Sequence, residues 1–460
     1  MPILSVDVEK RVFALTLALL LAVGFLVSPE PGSAGGRTLV RNASMVLTMD
    51  PALGTLENAD VLIDGDHIAA VGRGVPAEGA RVVDGRGKIV LPGFVDLHTH
   101  LWQSLIRGCA TDKELNGWLG GCVLPLQGST VSGADAYAGA RLSTLDAIST
   151  GVTTVTDWSH AFNPDFARAN LKALQDSRQR FVFAFMAGTD SWIAPEVRRI
   201  KKDVIDRNPL AHLQIGTHPA NWNVANVEAS EKLAQELGVP LNVHLLESKA
   251  DPATDQMEVL RRAGAIRPGL LANHVVHATD AELDELAAHD VRIAHNPLSN
   301  MRLASGIARV PGMKARNMKV GLGLDGGTND TSDMFNNMRA AVGLQRAQSA
   351  DPGRYPKPAD VLRMATLGGA EALGLEKEIG SLTPGKKADL QVINAQALNF
   401  APRFDWASQL VFNTQPVNVQ WVFVNGVALK KDGKLVGDTD RVIADAQAAA
   451  DRVRAILPSK

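Results

Sequence analysis

Between Gly93 and about Gly380, short apolar runs alternate with longer stretches of helical period, the pattern of βα units and a parallel sheet. Eight strand candidates follow one another: FVDLHTH, TTVTDW, RFVFAFMAG, LQIGTH, PLNVHLLE, LLANHVVHA, VRIAHNPLSN and KVGLGLDGG. Helical segments such as ADAYAGARLSTLDAIST and NVEASEKLAQELG separate them. Eight is the number that closes a barrel of this kind, so the expected fold class is α/β, a (β/α)8 TIM barrel.

The flanks have a different texture. From Arg37 to about Leu91, the runs TLVRNASMVLTMD, GDHIAAVG and ARVVDGRGKIVLPG alternate with turn signals and predict a small antiparallel β unit. The same texture returns in KADLQVINAQ and VQWVFVNGVALKKDGKLVG, where NG and DG pairs mark hairpins. One composite β-sandwich domain formed by both chain ends is the economical arrangement. It assigns 37–92 and 381–437 to that domain, 93–380 to the barrel, and 438–460 to a C-terminal helix, amphipathic from about Thr439 to Ile456.

Residues 1–34 stand apart. Lys10 and Arg11 precede the apolar run FALTLALLLAVGFLV and then the small-residue stretch SPEPGSAGG, the layout of a secretory signal peptide. Cleavage is expected after Ala34, which makes the mature protein periplasmic or secreted. The run from Val12 to Val27 is shorter than the roughly 20 residues a membrane span needs, so no stable membrane partner is expected after cleavage.

Composition adds limits. With 460 residues and 45% hydrophobic content, the chain can bury one large barrel and a smaller domain. The net charge of −2 comes from scattered charges of both signs, with no basic run longer than doublets such as Lys201-Lys202 and Lys386-Lys387, which leaves nucleic-acid binding without electrostatic support. Two cysteines, Cys109 and Cys122, could form a disulfide in an oxidising compartment, but small core or loop residues are the expected reading. No Cys/His cluster suggests a structural zinc site.

Histidine placement carries the chemistry. His98, His100, His218, His244, His274 and His295 all fall at or near the ends of predicted barrel strands. Residues at the C-terminal strand ends of a barrel share one face, so groups distant in sequence can surround one atom. His98 and His100, two apart on a strand, point to the same side. His244 ends the fifth strand, and Asp325 ends the eighth in the glycine-rich turn LGLDGG. Three imidazoles and a carboxylate suit one divalent ion, zinc first and ferrous iron as the alternative, with a position open for water. Glu247, three residues after His244, is assigned as the acid/base, and His274 either ligates or holds water and substrate. His277 is expected to be structural or to orient another group, and His218 and His295 to contact substrate or pack. Trp102, Gln103, Trp118, Trp158 and Trp222 are placed in loops over this face, where the tryptophans suit stacking on a flat ring.

Taken together, PGFVDLHTHLWQSLIRG, NVHLLES, NHVVHATDAEL, HNPLSNMRLASGI, GLGLDGGTNDTSDMFNNMR and GSLTPGKKADLQV resemble the amidohydrolase superfamily. The similarity is to the branch of triazine hydrolases, guanine deaminases and methylthioadenosine/S-adenosylhomocysteine deaminases. The resemblance implies one divalent ion on His98, His100, His244 and Asp325, and proton-transfer roles for Glu247, His274 and Asp325. Strands three and four carry no lysine in place to bridge a second ion. Nucleoside deaminases of this branch grip the ribose with an acidic residue where this chain has Asn116, followed by Trp118. A small-molecule heterocyclic substrate and a homodimer are the partners it implies.

The expected activity is hydrolytic deamination of an amino-substituted purine, pyrimidine, pterin or triazine by metal-activated water. In that scheme Asp325 accepts the released proton, Glu247 protonates the ring nitrogen, and His274 stabilises the addition intermediate. The same machinery could open a cyclic amide or displace halide from a ring. A non-catalytic exported binding protein ranks last, because its site would be broken.

Overall fold

Eight short parallel strands run side by side in chain order: β6 (Phe94–Thr99), β7 (Val152–Ser159), β8 (Arg180–Met186), β9 (Ala211–Thr217), β10 (Leu241–Leu245), β11 (Leu271–His274), β12 (Arg292–His295) and β13 (Val320–Leu322). This computed structural model describes residues 36–128, 130–326 and 332–458, so the expected signal peptide lies outside the described residues. The two ends of the sheet meet side by side, where the segment after β13 hydrogen-bonds to β6. Asp325 N–H donates to His98 O at 2.6 Å, and Leu324 N–H to Asp96 Oδ1 at 2.8 Å. Every residue of β6 and β7 is buried, as parallel strands covered on both faces require.

The second sheet joins both ends of the described chain. Its strands are β1 (Arg37–Leu47), β2 (Thr55–Asp64), β3 (His67–Gly72), β4 (Ala80–Asp84), β5 (Lys88–Pro92), β14 (Leu390–Asn394), β15 (Val419–Val424), β16 (Val427–Lys431) and β17 (Lys434–Leu435). The order is β17-β16-β15-β14-β5-β1-β2-β3, with β4 on β1. The N-terminal part is mixed and not purely antiparallel as expected, because β4 and β5 both return beside β1 in the same direction. The join is an antiparallel ladder from Pro92↔Leu390 to Lys88↔Asn394. Val61, Ile63, Val90, Leu390, Val392 and Phe423 share one core cluster beneath it. At the NG turn, Asn425 and Gly426 have φ of 51° and 76°, the left-handed pair a two-residue hairpin demands.

Arg180 at the start of β8 ties the two sheets together. Its side chain is fully buried and pairs with Asp389 Oδ2 at 2.8 Å, while Asp389 Oδ1 accepts from Asn425 N–H at 2.7 Å. The stretch PADVLRMATLGGAEALGL, expected as one helix, is two: Pro358–Met364 and Leu367–Leu373, broken where Thr366 turns its hydroxyl back onto Leu362 O. The C-terminal helix Thr439–Ile456 buries Ala446, Ala449 and Val453 in the same core cluster as Trp102, Trp118 and Cys122. Its Arg452 pairs with Asp135, which also closes the capping box of the helix Gly133–Ser149. Among the described residues no helix is long and apolar enough to cross a membrane.

Candidate active site

Alternation along β6 sets His98 and, one residue past its end, His100 on the same side. His100 Nδ1 lies 2.7 Å from Trp158 O on the neighbouring strand, which makes Nδ1 the proton carrier and leaves the Nε2 lone pair for the site. That Nε2 is 3.3 Å from His244 Nε2 and 3.5 Å from Asp325 Oδ1, and His98 Nε2 is 3.6 Å from the same oxygen. Asp325 reaches in from a turn where its own φ is 66°. The turn can lie this close only because glycines flank it: a Cβ on Gly323 would sit 2.9 Å from His98 Cβ, and one on Gly326 2.9 Å from His100 Cβ.

Burial, with the neighbouring imidazoles next, pushes the pKa values of His98 and His244 well below the ordinary histidine value. Both ring nitrogens of His98, Nδ1 of His244 and Nε2 of His274 are buried without a hydrogen-bond partner. Leaving such groups unpaired costs roughly 1–3 kcal/mol each, so the cluster is built for a partner that accepts several lone pairs at once. One nitrogen from each of His98, His100 and His244 falls within 4.8 Å of the others, as do ligand atoms of His98, His274 and Asp325. Two nitrogens, each about 2.0–2.1 Å from one tetrahedral ion, would lie roughly 3.4 Å apart, close to the spacing of His100 and His244. The donor set therefore fits a borderline divalent ion.

Glu247 stands two residues beyond β10, its backbone N–H fixed by Asp251 Oδ2 at 2.7 Å. Burial raises its carboxyl to about 7, against the opposing pull of His274, whose Nε2 lies 3.5 Å away. His274 Nδ1 sits 2.9 Å from Asn300 Oδ1 and 3.3 Å from Asn296 Nδ2. The shorter contact makes Nδ1 the proton carrier and aims a lone pair at Glu247. Asp325 Oδ2 accepts from Ser299 Oγ at 2.5 Å. Two further buried carboxylates orient the first strand and its loop: Asp96 receives His98 N–H at 3.2 Å, and Asp157, raised to about 7 by burial, receives Leu101 N–H at 3.0 Å.

A cavity of about 320 Å³ opens over this cluster, with His100, His218, His244, Glu247 and Asp325 among its lining. Gln103, Asn116 and Trp118 also line it, and Trp222, 73% exposed, stands at its rim. His218 stacks 4.7 Å from His244, and burial lowers it to about 4. His295 is buried and does not line the cavity, and His277 is held by Ser305 O at 2.7 Å.

Two tryptophans are not where the sequence suggested. Trp158 lies within β7, fully buried between His100, His218 and His244, not in a loop. Trp102 is likewise fully buried and does not line the cavity; what it touches there is a neighbour that does. Its indole N–H donates to His160 Nδ1 at 3.0 Å. Because indole is a donor only, His160 Nδ1 is the acceptor and Nε2–H is the group this ring can offer the cavity it lines. His160 was missed by sequence reasoning, although it stands one residue past its strand, as His100 does.

Cys109 and Cys122, expected as unpaired small residues, form a disulfide. The turns between them bring their Cα atoms to 6.1 Å, a proximity that 13 positions of sequence separation did not reveal. The bridge closes the loop carrying Leu115, Asn116, Trp118 and Leu119 onto the cavity wall.

Comparison with known proteins places this geometry. Residues 89–429 match the model of the amidohydrolase family. The chain is 32% identical over 447 residues to a 5'-deoxyadenosine deaminase of Methanosarcina barkeri, covering 90% of this chain and 98% of that protein. It superimposes on a zinc-bound adenosine deaminase from Xanthomonas campestris with TM-score 0.82 and 28% identity, over 91% of this chain and 98% of the other. A zinc complex of atrazine chlorohydrolase from Arthrobacter aurescens gives TM-score 0.81 and 25% identity, over 90% of this chain and 100% of that one. By family match and by identity over most of its length, the chain belongs to the amidohydrolase family.

Proposed function

We propose that the protein is a zinc-dependent deaminase of an amino-substituted nitrogen heterocycle, with an adenine-type ring first among the candidates. The observation that carries this reading is one carboxyl: Glu247, raised to about 7 by burial, stands 3.5 Å from His274 at the edge of the His98, His100, His244 and Asp325 cluster. The names of the similar deaminases support the ring type.

His98, His100, His244 and Asp325 would hold the ion. When bound, a divalent cation supplies Lewis acidity that makes water a nucleophile near neutral pH. Asp325, held by Ser299, accepts the proton that the attacking water loses. Glu247 enters protonated and donates to the ring nitrogen beside the attacked carbon, so the ring gives up its aromaticity without building negative charge. His274, with Nδ1 fixed by Asn300, accepts a hydrogen bond at Nε2 and holds the added oxygen in place. Return of the proton from Asp325 to the exocyclic nitrogen breaks the C–N bond and releases ammonia, while the proton of the added hydroxyl passes to Glu247, which leaves the ring carbonyl and restores both carboxyls to their starting states.

The test is ammonia release by the zinc-loaded protein against aminopurines, aminopyrimidines, aminopterins and aminotriazines. Activity on one ring class, reduced roughly 10²–10⁴-fold in Glu247→Gln with zinc content unchanged, is the expected result. Silence across the panel overturns it. The similarity to a chlorohydrolase favours one second reading, displacement of chloride from a triazine, which chloride release would identify. A periplasmic or secreted location completes the proposal. The signal-like 1–34 segment and the Cys109–Cys122 bridge support it, since disulfides persist in oxidising compartments.

A further inference from the structure

The cavity over the metal-ligand cluster does not end at its own walls. A second lobe, about 390 Å³, adjoins it and shares Gln127, Met186, His218 and Trp222 with it. The second lobe is floored by linked amides: Asn226 Oδ1 accepts from both Thr189 N–H and Thr189 Oγ1 at 2.9 Å, Asn226 Nδ2 donates to Asn223 Oδ1 at 2.7 Å, and Asn223 Nδ2 donates to His218 O at 2.8 Å. Phe162 and Trp192 add aromatic surface.

Charge distinguishes this space. Among the described residues, neither lobe is lined by a lysine or an arginine. Among the described residues, the carboxylates lining them are Glu247, Asp251 and Asp325 in the first lobe and Asp190, exposed, in the second. A substrate anion in the second lobe would lose water, meet Asp190 and find no cation to replace its hydration. A hydroxyl or amine would meet amide and hydroxyl groups that can exchange hydrogen bonds with it.

We infer that the second lobe is a subsite for the substituent of the reacting ring, and that it selects uncharged or cationic substituents against carboxylates. This rests on the deaminase reading for the ring itself. The substrate class is thus a substituted amino-heterocycle of neutral or positive charge, with Asp190 as the residue that sets the charge preference.

Four compounds test it: adenine, adenosine, 5'-amino-5'-deoxyadenosine and adenosine-5'-carboxylic acid. They are measured for ammonia release by the zinc-loaded enzyme and for dissociation constant with zinc-loaded Glu247→Gln. Adenosine and the amine are expected to exceed the carboxylic acid at least tenfold in kcat/KM and in affinity. Asp190→Arg is expected to raise the carboxylic acid at least tenfold relative to adenosine. Equal handling of the carboxylic acid, binding of bare adenine as tight as adenosine, or binding of none of the four overturns the subsite. Absence of ammonia with the binding order intact overturns the deaminase reading alone and leaves the subsite standing.

Discussion

Replacing both cysteines, Cys109→Ala with Cys122→Ala, tests whether the bridge fixes the cavity wall or only tightens the chain. Alanine avoids burying a hydroxyl at Cys122, which is fully enclosed. Opening a loop of 13 positions restores conformational entropy to the unfolded chain worth about 3 kcal/mol at 25 °C. For a chain of 460 residues this lowers the melting temperature by about 3 °C, since unfolding entropy scales with length. The folded state pays separately. Each wall side chain released from the loop and re-ordered on binding costs roughly 0.5–1.5 kcal/mol. With Asn116 or Trp118 so affected, KM rises about two- to tenfold. The strand-borne ligands and Glu247 do not depend on the loop, so kcat stays within about twofold of wild type. Guanidinium unfolding and steady-state kinetics on the preferred substrate give both numbers. An unchanged KM, whether or not stability falls, would refute the argument that this bridge positions the wall, and an unchanged unfolding midpoint would refute the chain-entropy argument.

Three other expectations follow from particular contacts. Asp389→Ala strands the buried Arg180 guanidinium and is expected to destabilise the fold by about 3–5 kcal/mol in denaturant unfolding, whereas Arg180→Met with Asp389→Leu recovers most of that loss. Trp102→Phe removes the donor that fixes the His160 tautomer, so KM is expected to rise several-fold with kcat near wild type, and a matched fall in kcat alone would exclude the positioning role. Hydrogen bonds from Arg168 and Arg199 lower Glu196 to about 2 from 4.5. A depressed folded-state value means this stabilisation is complete above the unfolded value near 4.5 and fades as pH falls towards 2. Glu196→Gln should therefore flatten the acid limb of the stability curve between those values, and an unchanged limb would remove these ion pairs from it.

Much of the fold was legible because local pattern and global arrangement agree. The eight apolar runs could each be counted, and each histidine or aspartate at a run's end could be placed on one face without knowing a single distance. The NG hairpin declared itself through its demand for left-handed backbone. Less legible were features that depend on which turn lies over which. The mixed sheet escaped because nothing local tells a returning strand which side of β1 to take. His160 was missed and Trp102 was placed in the cavity lining because exposure of an aromatic ring is set by what packs on it. The divided helix at Thr366 escaped because a side chain that turns back on its own backbone leaves no mark in apolar periodicity.

The amino-acid sequence by itself determined the barrel, the composite β layer and the convergence of His98, His100, His244, Asp325 and Glu247, since these follow from strand period, strand count and the geometry common to all closed parallel barrels. Tertiary structure alone decided the Cys109–Cys122 bridge, the Arg180–Asp389 strut, the tautomer of His160 and the charge of the second lobe. Each of these is a contact between residues whose separation along the chain carries no information about their separation in space.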